Sequence, residues 1–307
     1  MAEQRRNPQT PDRHQSPAVT DGEPRELRYP DFLCIGAQKA GTTWLDRNLR
    51  RHPRLWFPPI KELHYFNELY VPSSRSWTAR YRRDKGAAAF QRYLKRVPDE
   101  EARDYRQLAR MADIVTGPIS DDWYGRIFAL AGEERIAGEI TPDYSLLPDA
   151  GIEHVLRLAP NVRIILSLRD PIERSWSHIR MSALGYGEKG PEMIPQLASN
   201  PDVLARSNYP AMIARWRRYV PEDRFLVVFM DDITAEPHAV LQTLCRFLKV
   251  PFNEKRFRKA AAAVHVGEAK PIPAPVLATL KDRLKPVYEE LGGLYPEIAE
   301  RWAARHY

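Results

Sequence analysis

The segment FLCIGAQKAGTTW at residues 32–44 combines an apolar run, two glycines, a lysine and two hydroxyl side chains. This order is typical of a buried strand that runs into a short loop and then into the first turn of a helix. Glycines let the backbone approach a bound oxyanion closely, and the unpaired N–H groups of a helix start point toward it. Lys39, Thr42 and Thr43 add an ammonium group and two hydroxyl donors. The segment therefore predicts an anion-binding loop, with a purely structural strand-to-helix turn as the alternative.

Gly36 and Gly41 have the spacing of the glycines in a nucleotide-triphosphate P-loop. That motif requires Gly-Lys-Ser/Thr after its second glycine, whereas Thr42 follows Gly41 directly and Lys39 lies inside the loop. A P-loop nucleotide kinase or another phosphotransferase is consequently an alternative function.

The segment VRIILSLRDPIERSWSH at residues 162–178 repeats the order of strand, turn and helix, now with Arg169 at the end of the strand. A guanidinium offers a planar pair of N–H donors to a phosphate, and Arg174 and Ser177, three residues apart on the helix, can add donors on the same side. The segment predicts a second anion site. The alternative is that Arg169 pairs with an acidic neighbour in the same turn.

Between these two segments, PPIKELHYFN at residues 58–67 places a carboxylate and an imidazole two positions apart. The two prolines favour an extended start, and in an extended backbone Glu62 and His64 lie on the same side. Either group can act as a general base, and the apolar and aromatic neighbours are expected to raise the pKa of Glu62 toward neutral pH. An ordinary pair of surface residues is the alternative.

Taken together, the three segments resemble the sulfotransferase family, whose donor is 3′-phosphoadenosine 5′-phosphosulfate. GAQKAGTTW at residues 36–44 is similar to the family's 5′-phosphosulfate loop, and LRDPIERSWS at residues 168–177 is similar to its 3′-phosphate motif. KELHYF at residues 61–66 resembles the corresponding segment of the heparan-sulfate-type and related bacterial members, in which a glutamate serves as base.

The resemblance implies an enzyme that transfers a sulfuryl group to a hydroxyl or amine of a carbohydrate or small-metabolite acceptor, by in-line displacement and without a metal. It implies Glu62 as the base, Lys39 as the group that stabilises the leaving phosphate oxygen, and His64 as a hydrogen-bond partner of the acceptor or of Glu62. The implied donor-binding residues are Gln38, Lys39, Ala40, Gly41, Thr42, Thr43, Trp44, Arg169, Ser177 and Lys270.

The similarity extends from about Tyr29 to the C-terminus. GEITPDY at residues 138–144 resembles the family's active-site strand end, and VHVGEAK at residues 264–270 resembles, more loosely, a segment that folds over the nucleotide. Several heparan-sulfate enzymes have a lysine where Ile140 stands, so any contact that this lysine makes is missing here.

Four apolar, β-rich runs predict strands, and stretches with apolar residues three and four positions apart predict helices between them. The predicted strands are residues 31–35, 135–140, 162–168 and 225–230. The predicted helices are residues 42–51, 121–130, 150–158, 172–184, 210–219, 237–248, 275–291 and 297–304. Near-continuous apolar strands that alternate with helices indicate an α/β fold: a P-loop-like parallel sheet flanked by helices on both faces, in a single domain. Ligands of such sheets bind at the carboxyl ends of the strands.

Residues 1–28 contain five basic and five acidic side chains and no aromatic residue. This composition predicts a disordered tail before a domain at residues 29–307. The formal net charge of +7 therefore belongs to the domain and favours anionic ligands. Residues 71–112 hold eleven Arg or Lys and five Asp or Glu. They predict either a pair of solvated helices or a basic wall along the approach to the site. A non-catalytic anion- or nucleic-acid-binding protein is a third function class, although we expect no nucleic acid as partner.

A hydrophobic content of 43% supports a substantial core. No run approaches the roughly eighteen apolar residues of a membrane span, and no apolar segment follows the N-terminus, so a cytoplasmic location is expected. Cys34 and Cys245 lie in apolar patterns and predict buried thiols, and no residues have metal-ligand spacing. The resemblance allows a monomer or a homodimer.

Overall fold

The structure, a computed structural model, describes residues 27–262 and 270–307. Most of the predicted tail and most of the segment at residues 264–270 therefore lie outside the described residues. At the start of the described chain, Arg28 forms an ion pair with Asp31 over 2.7 Å between Nη2 and Oδ2.

Five parallel strands form one sheet in the order β2-β3-β1-β4-β5. The strands are β1 Phe32–Gly36, β2 Leu55–Trp56, β3 Ile136–Ile140, β4 Arg163–Leu168 and β5 Phe225–Phe229. The four predicted strands are confirmed as β1, β3, β4 and β5. Strand β2 was not predicted, because two residues are too few to show any periodicity.

Helices connect the strands and cover the sheet. They are α1 Thr42–Leu49, α2 Tyr65–Tyr70, α3 Arg75–Arg96, α4 Tyr105–Thr116, α5 Asp121–Ala129, α6 Asp149–Leu158, α7 Pro171–Leu184, α8 Gly190–Ala198, α9 Pro201–Ala205, α10 Tyr209–Arg217, α11 Met230–Ala235, α12 Pro237–Phe247, α13 Ala274–Leu294 and α14 Pro296–Ala303. Short 3-10 turns lie at Pro72–Ser74, Pro142–Leu146, Gly187–Lys189, Glu222–Arg224 and Glu254–Phe257. The eight predicted helices are confirmed within a few residues.

Alternate residues of β1 enter two different hydrophobic clusters. Leu33 and Ile35 pack with most of the helices, whereas Phe32 and Cys34 pack with the apolar faces of α1 and α12. Successive side chains of a strand point to opposite faces of the sheet, so these clusters lie on its two sides. The predicted α/β architecture, a parallel sheet with helices on both faces, is confirmed.

The chain reverses its winding at β1, which has β3 on one side and β4 on the other. In an open parallel sheet, such a switch point leaves a crevice at the carboxyl ends of the strands. The loops after β1, β3 and β4 meet there. The longest connection between strands, residues 57–135 between β2 and β3, contains α2 to α5.

Candidate active site

The loop between β1 and α1 depends on its two glycines. Gly36 has φ +150°, and a Cβ there would lie 2.7 Å from the carbonyl oxygen of Pro142 in the turn after β3. Gly41 is the N-cap of α1 with φ +85°, and no side chain caps the helix. The clash with Pro142 makes glycine necessary at position 36, and the positive φ favours glycine at position 41.

Open N–H groups line this loop. The backbone N–H groups of Lys39, Gly41, Thr42 and Thr43 donate no hydrogen bond to any described residue, and the first turn of α1 has no acidic side chain. Ser167 of β4 fixes the loop, since its carbonyl accepts from Ala37 N at 2.6 Å and its hydroxyl donates to the carbonyl of Ala40. The loop thus has a rigid backbone with unused donors, which is the arrangement that favours an anion at a helix N-terminus.

Lys39 lies in a cluster of cations. Its backbone is left-handed, with φ +69°. Burial lowers the pKa of its ammonium group, and the positive charges of Arg169, Arg180 and Arg174 lower it further. The loop after β1 and the loop after β4 therefore share one electrostatic environment, in which a bound anion would relieve the repulsion.

Arg169 and Ser177 come from the second predicted anion segment. Asp170 caps α7 by accepting from the N–H groups of Ile172 and Glu173 at 3.0 and 3.1 Å. Arg169 Nη2 lies 2.9 Å from Glu173 Oε2, so the predicted pairing with an acidic neighbour does occur, and both side chains remain partly exposed. Ser177 is half-buried.

Arg174 does not have the role of a free phosphate donor. It is fully buried, its Nε donates to Ser207 Oγ at 2.6 Å, and its Nη2 donates to the carbonyl of Val203. The guanidinium thus attaches α7 to α9 and to the chain just after it. The prediction that Arg174 offers a donor to an anion beside Ser177 is wrong, because the hydrogen bonds of its guanidinium are made to buried groups in the interior of the protein.

Glu62 and His64 face each other, but not for the predicted reason. Both have left-handed backbones, with φ +64° and +55°, and α2 begins at Tyr65, so the extended backbone on which the same-side placement depended does not occur at these two residues. His64 Nε2 lies 3.7 Å from Glu62 Oε2, an electrostatic contact that is too long for a hydrogen bond. Two successive turns, not strand alternation, bring the carboxylate and the imidazole together.

The charge of Glu62 is strongly stabilised. Lys61 Nζ lies 2.6 Å from Oε1, and the Tyr81 hydroxyl donates to Oε2 at 3.0 Å. Burial by itself would raise the pKa of Glu62, but the His64 imidazole and the Lys61 ammonium lower it to about 2. The predicted upward shift of this pKa is therefore wrong, because the His64 imidazole and the Lys61 ammonium together outweigh the effect of burial.

A polar chain that the sequence did not single out connects His64 to the cationic cluster. His64 Nδ1 lies 3.2 Å from Asn67 Oδ1 and 3.7 Å from Asp143 Oδ2. Asp143 forms an ion pair with Arg206. Burial lowers the pKa of His178, and the charges of Arg174, Arg206 and Lys39 lower it further, so Arg206 and Lys39 act on the same imidazole. Asp143 lies in the ITPDY run that was noted as a strand end, and its carboxylate was the available signal.

Aromatic side chains of α3 form one wall beside Glu62. The His64 ring packs edge-on against Trp77 and Tyr81, with centroids 4.7 and 5.0 Å apart, and Trp77 is 36% exposed. Helices α3 and α4 confirm the predicted helix pair. The surface of α3 that meets Glu62 is aromatic, so the basic wall predicted for residues 71–112 does not occur at this point.

The remaining predicted residues have different surroundings. Gln38 Oε1 is buried and has no hydrogen-bond partner among the described residues, whereas Ala40 is buried in the loop. The Trp44 indole N–H donates to the carbonyl of Ala260 at 2.7 Å and packs in the second hydrophobic cluster. Lys270 is exposed, and its carbonyl accepts from the indole of Trp176 at 2.9 Å.

Ile140 is buried in the same hydrophobic cluster as Trp44 and pairs with Cys34 of β1 in the sheet. Within residues 27–262 and 270–307, no three His, Cys, Asp or Glu side chains are grouped as ligands of a metal ion. None of the helices in the described part of the chain has the length and apolar character needed to cross a membrane.

Comparisons with known proteins agree on one family. The model of a family described as "Sulfotransferase family" matches residues 30–254. Membrane-associated sulfotransferase kil1 of Dictyostelium discoideum is 27% identical over 156 residues, which cover 51% of this chain and 24% of that protein. Human carbohydrate sulfotransferase 15 is 24% identical over 263 residues, which cover 74% of this chain and 45% of the relative. The matched part of the chain thus spans less than half of the length of each of these two relatives.

The crystal structure of a sulfotransferase from Alicyclobacillus acidocaldarius has the same fold. It superposes with a TM-score of 0.54 and 21% sequence identity, over 87% of this chain and 96% of that one.

Proposed function

The chain belongs to the sulfotransferase family, and we propose that it transfers a sulfuryl group from 3′-phosphoadenosine 5′-phosphosulfate to a hydroxyl or amine of a carbohydrate or small-metabolite acceptor. The observation that carries the proposal is that the Lys39 and Arg169 cations follow β1 and β4 directly, while contacts of Leu63 and His64 attach the Glu62 turn to the end of β3 at the same edge of the sheet. The name of the human relative, a carbohydrate sulfotransferase, supports a carbohydrate acceptor. Family membership argues against the kinase and the non-catalytic alternatives. A cytoplasmic location and a monomeric or homodimeric state stay predictions.

The residues after β1 and β4 suit a nucleotide with phosphates at two positions. The open N–H groups at residues 41–43 and the hydroxyls of Thr42 and Thr43 are suited to the 5′-phosphate. Arg169 and Ser177 are suited to the 3′-phosphate, since the exposed part of the guanidinium can exchange Glu173 for a phosphate. The donor supplies the sulfuryl group and a nucleotide phosphate as leaving group.

Lys39 would stabilise the negative charge that develops on the leaving phosphate oxygen. Burial lowers the pKa of Lys39, and the charges of Arg169, Arg180 and Arg174 lower it further, so a bound anion would interact with several cations and not with one ammonium group alone. Fixed cations and backbone dipoles near the reacting centre do not need to reorganise during the reaction, and for this reason they stabilise developing charge strongly.

Glu62 would accept the proton of the acceptor at one of its carboxylate oxygens. A carboxylate with a pKa of about 2 is ionised throughout the neutral range but is a weak base. It would therefore take the proton late, when the bond from the acceptor oxygen or nitrogen to sulfur is largely formed and that proton has become acidic. An acceptor hydroxyl that replaces Lys61 as partner of Oε1 would also raise the pKa of Glu62.

Donor binding tests the role of Arg169 directly. We expect calorimetry to show that adenosine 3′,5′-bisphosphate binds without magnesium and that Arg169→Ala weakens this binding at least about tenfold, since hydrogen bonds to charged groups contribute about 1.5–3 kcal/mol. Glu173→Gln is the matched control, because it removes the ion-pair partner but keeps the guanidinium. Equal losses of affinity in both variants would show that Arg169 only supports α7.

Turnover tests Glu62. With radiolabelled donor and a panel of sugar and metabolite acceptors, followed by identification of the labelled product, Glu62→Gln should lower kcat by about a hundredfold to ten-thousandfold. The dissociation constant of adenosine 3′,5′-bisphosphate should change little, since Glu62 is assigned to the acceptor. Unchanged turnover in Glu62→Gln would reject the assigned base without affecting the donor site.

A further inference from the structure

A second cavity lies at the other end of α3 from Glu62. Its volume is about 640 Å³, within the range of small-molecule sites. It lies between the C-terminal half of α3, helix α4, the chain that follows β2 and the residues just before β3. Its lining residues include Phe57, Ala89, Tyr93, Met111 and Trp56.

The floor of the cavity is apolar. Phe57, Ala89, Tyr93 and Met111 are buried, and they form a surface of two aromatic rings and two aliphatic side chains. Leu130, at the end of α5, adds to this surface. Such a floor favours an apolar body, which would leave water on binding.

The rim of the cavity is cationic. Four arginines line it, namely Arg92, Arg96, Arg110 and Arg135. Arg92 and Arg110 are exposed and make no hydrogen bond or ion pair with any described residue. These two guanidinium groups are therefore available to an anionic ligand at low cost.

The other charged groups at the rim contact groups of the protein itself. The Arg96 guanidinium lies 5.8 Å from the centroid of the Tyr93 ring, and Arg135 Nε donates to the carbonyl of Ala131 at 2.7 Å. Asp104 is the carboxylate in the lining, and its Oδ1 accepts from the N–H of Gln107 at the start of α4. The lining therefore has a positive balance.

The cavity is separate from the proposed transfer site. Arg92 and Arg96 follow Tyr81, the partner of Glu62, by eleven and fifteen residues on the same helix, which corresponds to roughly 16–22 Å at 1.5 Å per residue. None of the residues assigned to donor or base lines the cavity. A ligand bound there would not occupy the donor's position.

We propose that this cavity is a binding site for an amphiphilic organic anion, with its apolar body on the aromatic floor and a phosphate, sulfate or carboxylate head between Arg92 and Arg110. Two guanidinium groups offer bidentate hydrogen bonds to such a head, and the floor supplies the affinity that a free inorganic ion lacks. The ligand needs both parts, because the rim alone is a solvated basic surface.

Calorimetry with dodecyl phosphate below its micellar concentration tests the site in the full chain. The expected result is binding of one molecule per chain, weakened at least about tenfold in Arg92→Ala/Arg110→Ala. Arg80→Ala/Arg83→Ala is the matched control: it makes the same charge change at two exposed residues of α3 that lie outside the cavity lining, and it should bind as the wild type does. Equal weakening in both double variants would overturn the site.

Three further titrations complete the test. Inorganic phosphate and dodecyl maltoside carry only one of the two required parts, and both should bind at least tenfold more weakly than dodecyl phosphate. Saturating adenosine 3′,5′-bisphosphate should leave dodecyl phosphate binding unchanged. If inorganic phosphate binds as tightly as dodecyl phosphate, the cavity is only a basic patch. If dodecyl maltoside binds as tightly, the cavity is only an apolar surface. If the nucleotide displaces dodecyl phosphate, the two ligands share the donor site. Each of these three results overturns the proposal.

Discussion

Glu62 is held as an anion by three neighbours from two parts of the chain. Lys61 and His64 come from its own turn, and Tyr81 comes from α3. Together they keep the carboxylate charged at any pH at which the protein would be assayed. The same contacts fix its direction, so that orientation is gained at the expense of basicity.

Replacing Lys61 should make the ionisation of Glu62 visible. In the wild type the pKa of Glu62 is lowered. The ionised Glu62 carboxylate therefore stabilises the fold above the ordinary carboxyl pKa, and this stabilisation is lost as the pH falls from there through about 2. Lys61→Met removes a stabilising cation and should raise the pKa of Glu62. A plot of kcat/KM from about pH 5 to 8 should then fall on the acid side at higher pH in the variant than in the wild type.

Lys61→Arg keeps the charge and should retain the wild-type profile. Superimposable profiles for Lys61→Met and the wild type would show that Lys61 does not control the protonation of Glu62.

At this scale the sequence allowed part of the site to be predicted. The anion-binding character of the loop after β1 could be predicted, because the glycine spacing and the start of a helix constrain the backbone strongly. The contact between Lys61 and Glu62 could not, since adjacent side chains converge here only because Glu62 has a left-handed backbone. Asp143 was missed because its partner, Arg206, is distant in the sequence.

Helices α3 and α4 form a unit that carries an aromatic surface at one end and arginines at the other. One face of α3 is buried, through Thr78, Arg82, Gly86, Ala89 and Tyr93. Arg82 forms an ion pair with Glu68 of α2 at 2.5 Å, which attaches α3 to the chain that carries His64. The position of the aromatic wall therefore depends on how these helices pack.

Gly86 allows α3 to approach α4 closely. A Cβ at this position would lie 2.0 Å from Val115 Cγ2, so Gly86→Ala should lower the free energy of unfolding by about 1–3 kcal/mol in urea denaturation. Adding Val115→Ala should restore part of this loss by removing the clashing methyl groups.

Gly292→Ala in α13 is the control, because nothing lies within 4 Å of its added Cβ. It should leave stability unchanged or increase it by up to about 1 kcal/mol. A neutral effect of Gly86→Ala would contradict the close packing of α3 on α4.

Elements with a clear apolar pattern were predictable, whereas the short elements and the bounds of the 22-residue helix α3 were not. Helices such as α7 and α13 show apolar residues at helical spacing over several turns, and buried strands such as β4 are continuous apolar runs. Strand β2 has two residues, and the six residues of α2 follow a proline-rich stretch that favoured an extended prediction. Tertiary packing decided these segments.

At the scale of the whole molecule, Glu139 joins four parts of the structure. Its carboxylate accepts from Tyr124 of α5 at 2.7 Å and from Tyr144 at 3.0 Å, and also from the Thr141 hydroxyl. The N–H of Leu63 donates to it at 3.1 Å. Burial raises the pKa of Glu139, although these hydrogen bonds act in the opposite direction. The turn that holds Glu62 and His64 is thereby attached to the centre of the sheet.

Glu139→Ala should lower the free energy of unfolding by about 3 kcal/mol or more, since it leaves several buried donors without an acceptor and each costs about 1–3 kcal/mol. Glu139→Gln keeps most of these contacts and serves as control. Because the folded-state pKa is raised, wild-type stability is lost as the pH rises from the ordinary carboxyl value through the folded value.

Denaturation of the wild type and Glu139→Gln over this pH range should therefore show the difference in stability moving in favour of the glutamine variant as the pH rises. A constant difference would mean that Glu139 does not ionise differently in the folded and unfolded states.

The excursion between β2 and β3 has a consequence for how such proteins diversify. It contains Glu62, the proposed base, together with the aromatic wall and the arginine-lined cavity, whereas the loops proposed to bind the nucleotide follow β1 and β4. Recombination between relatives at residues 57 and 135 would exchange this whole segment in one step. A chimera made this way should acquire a new acceptor preference while it retains its old donor affinity.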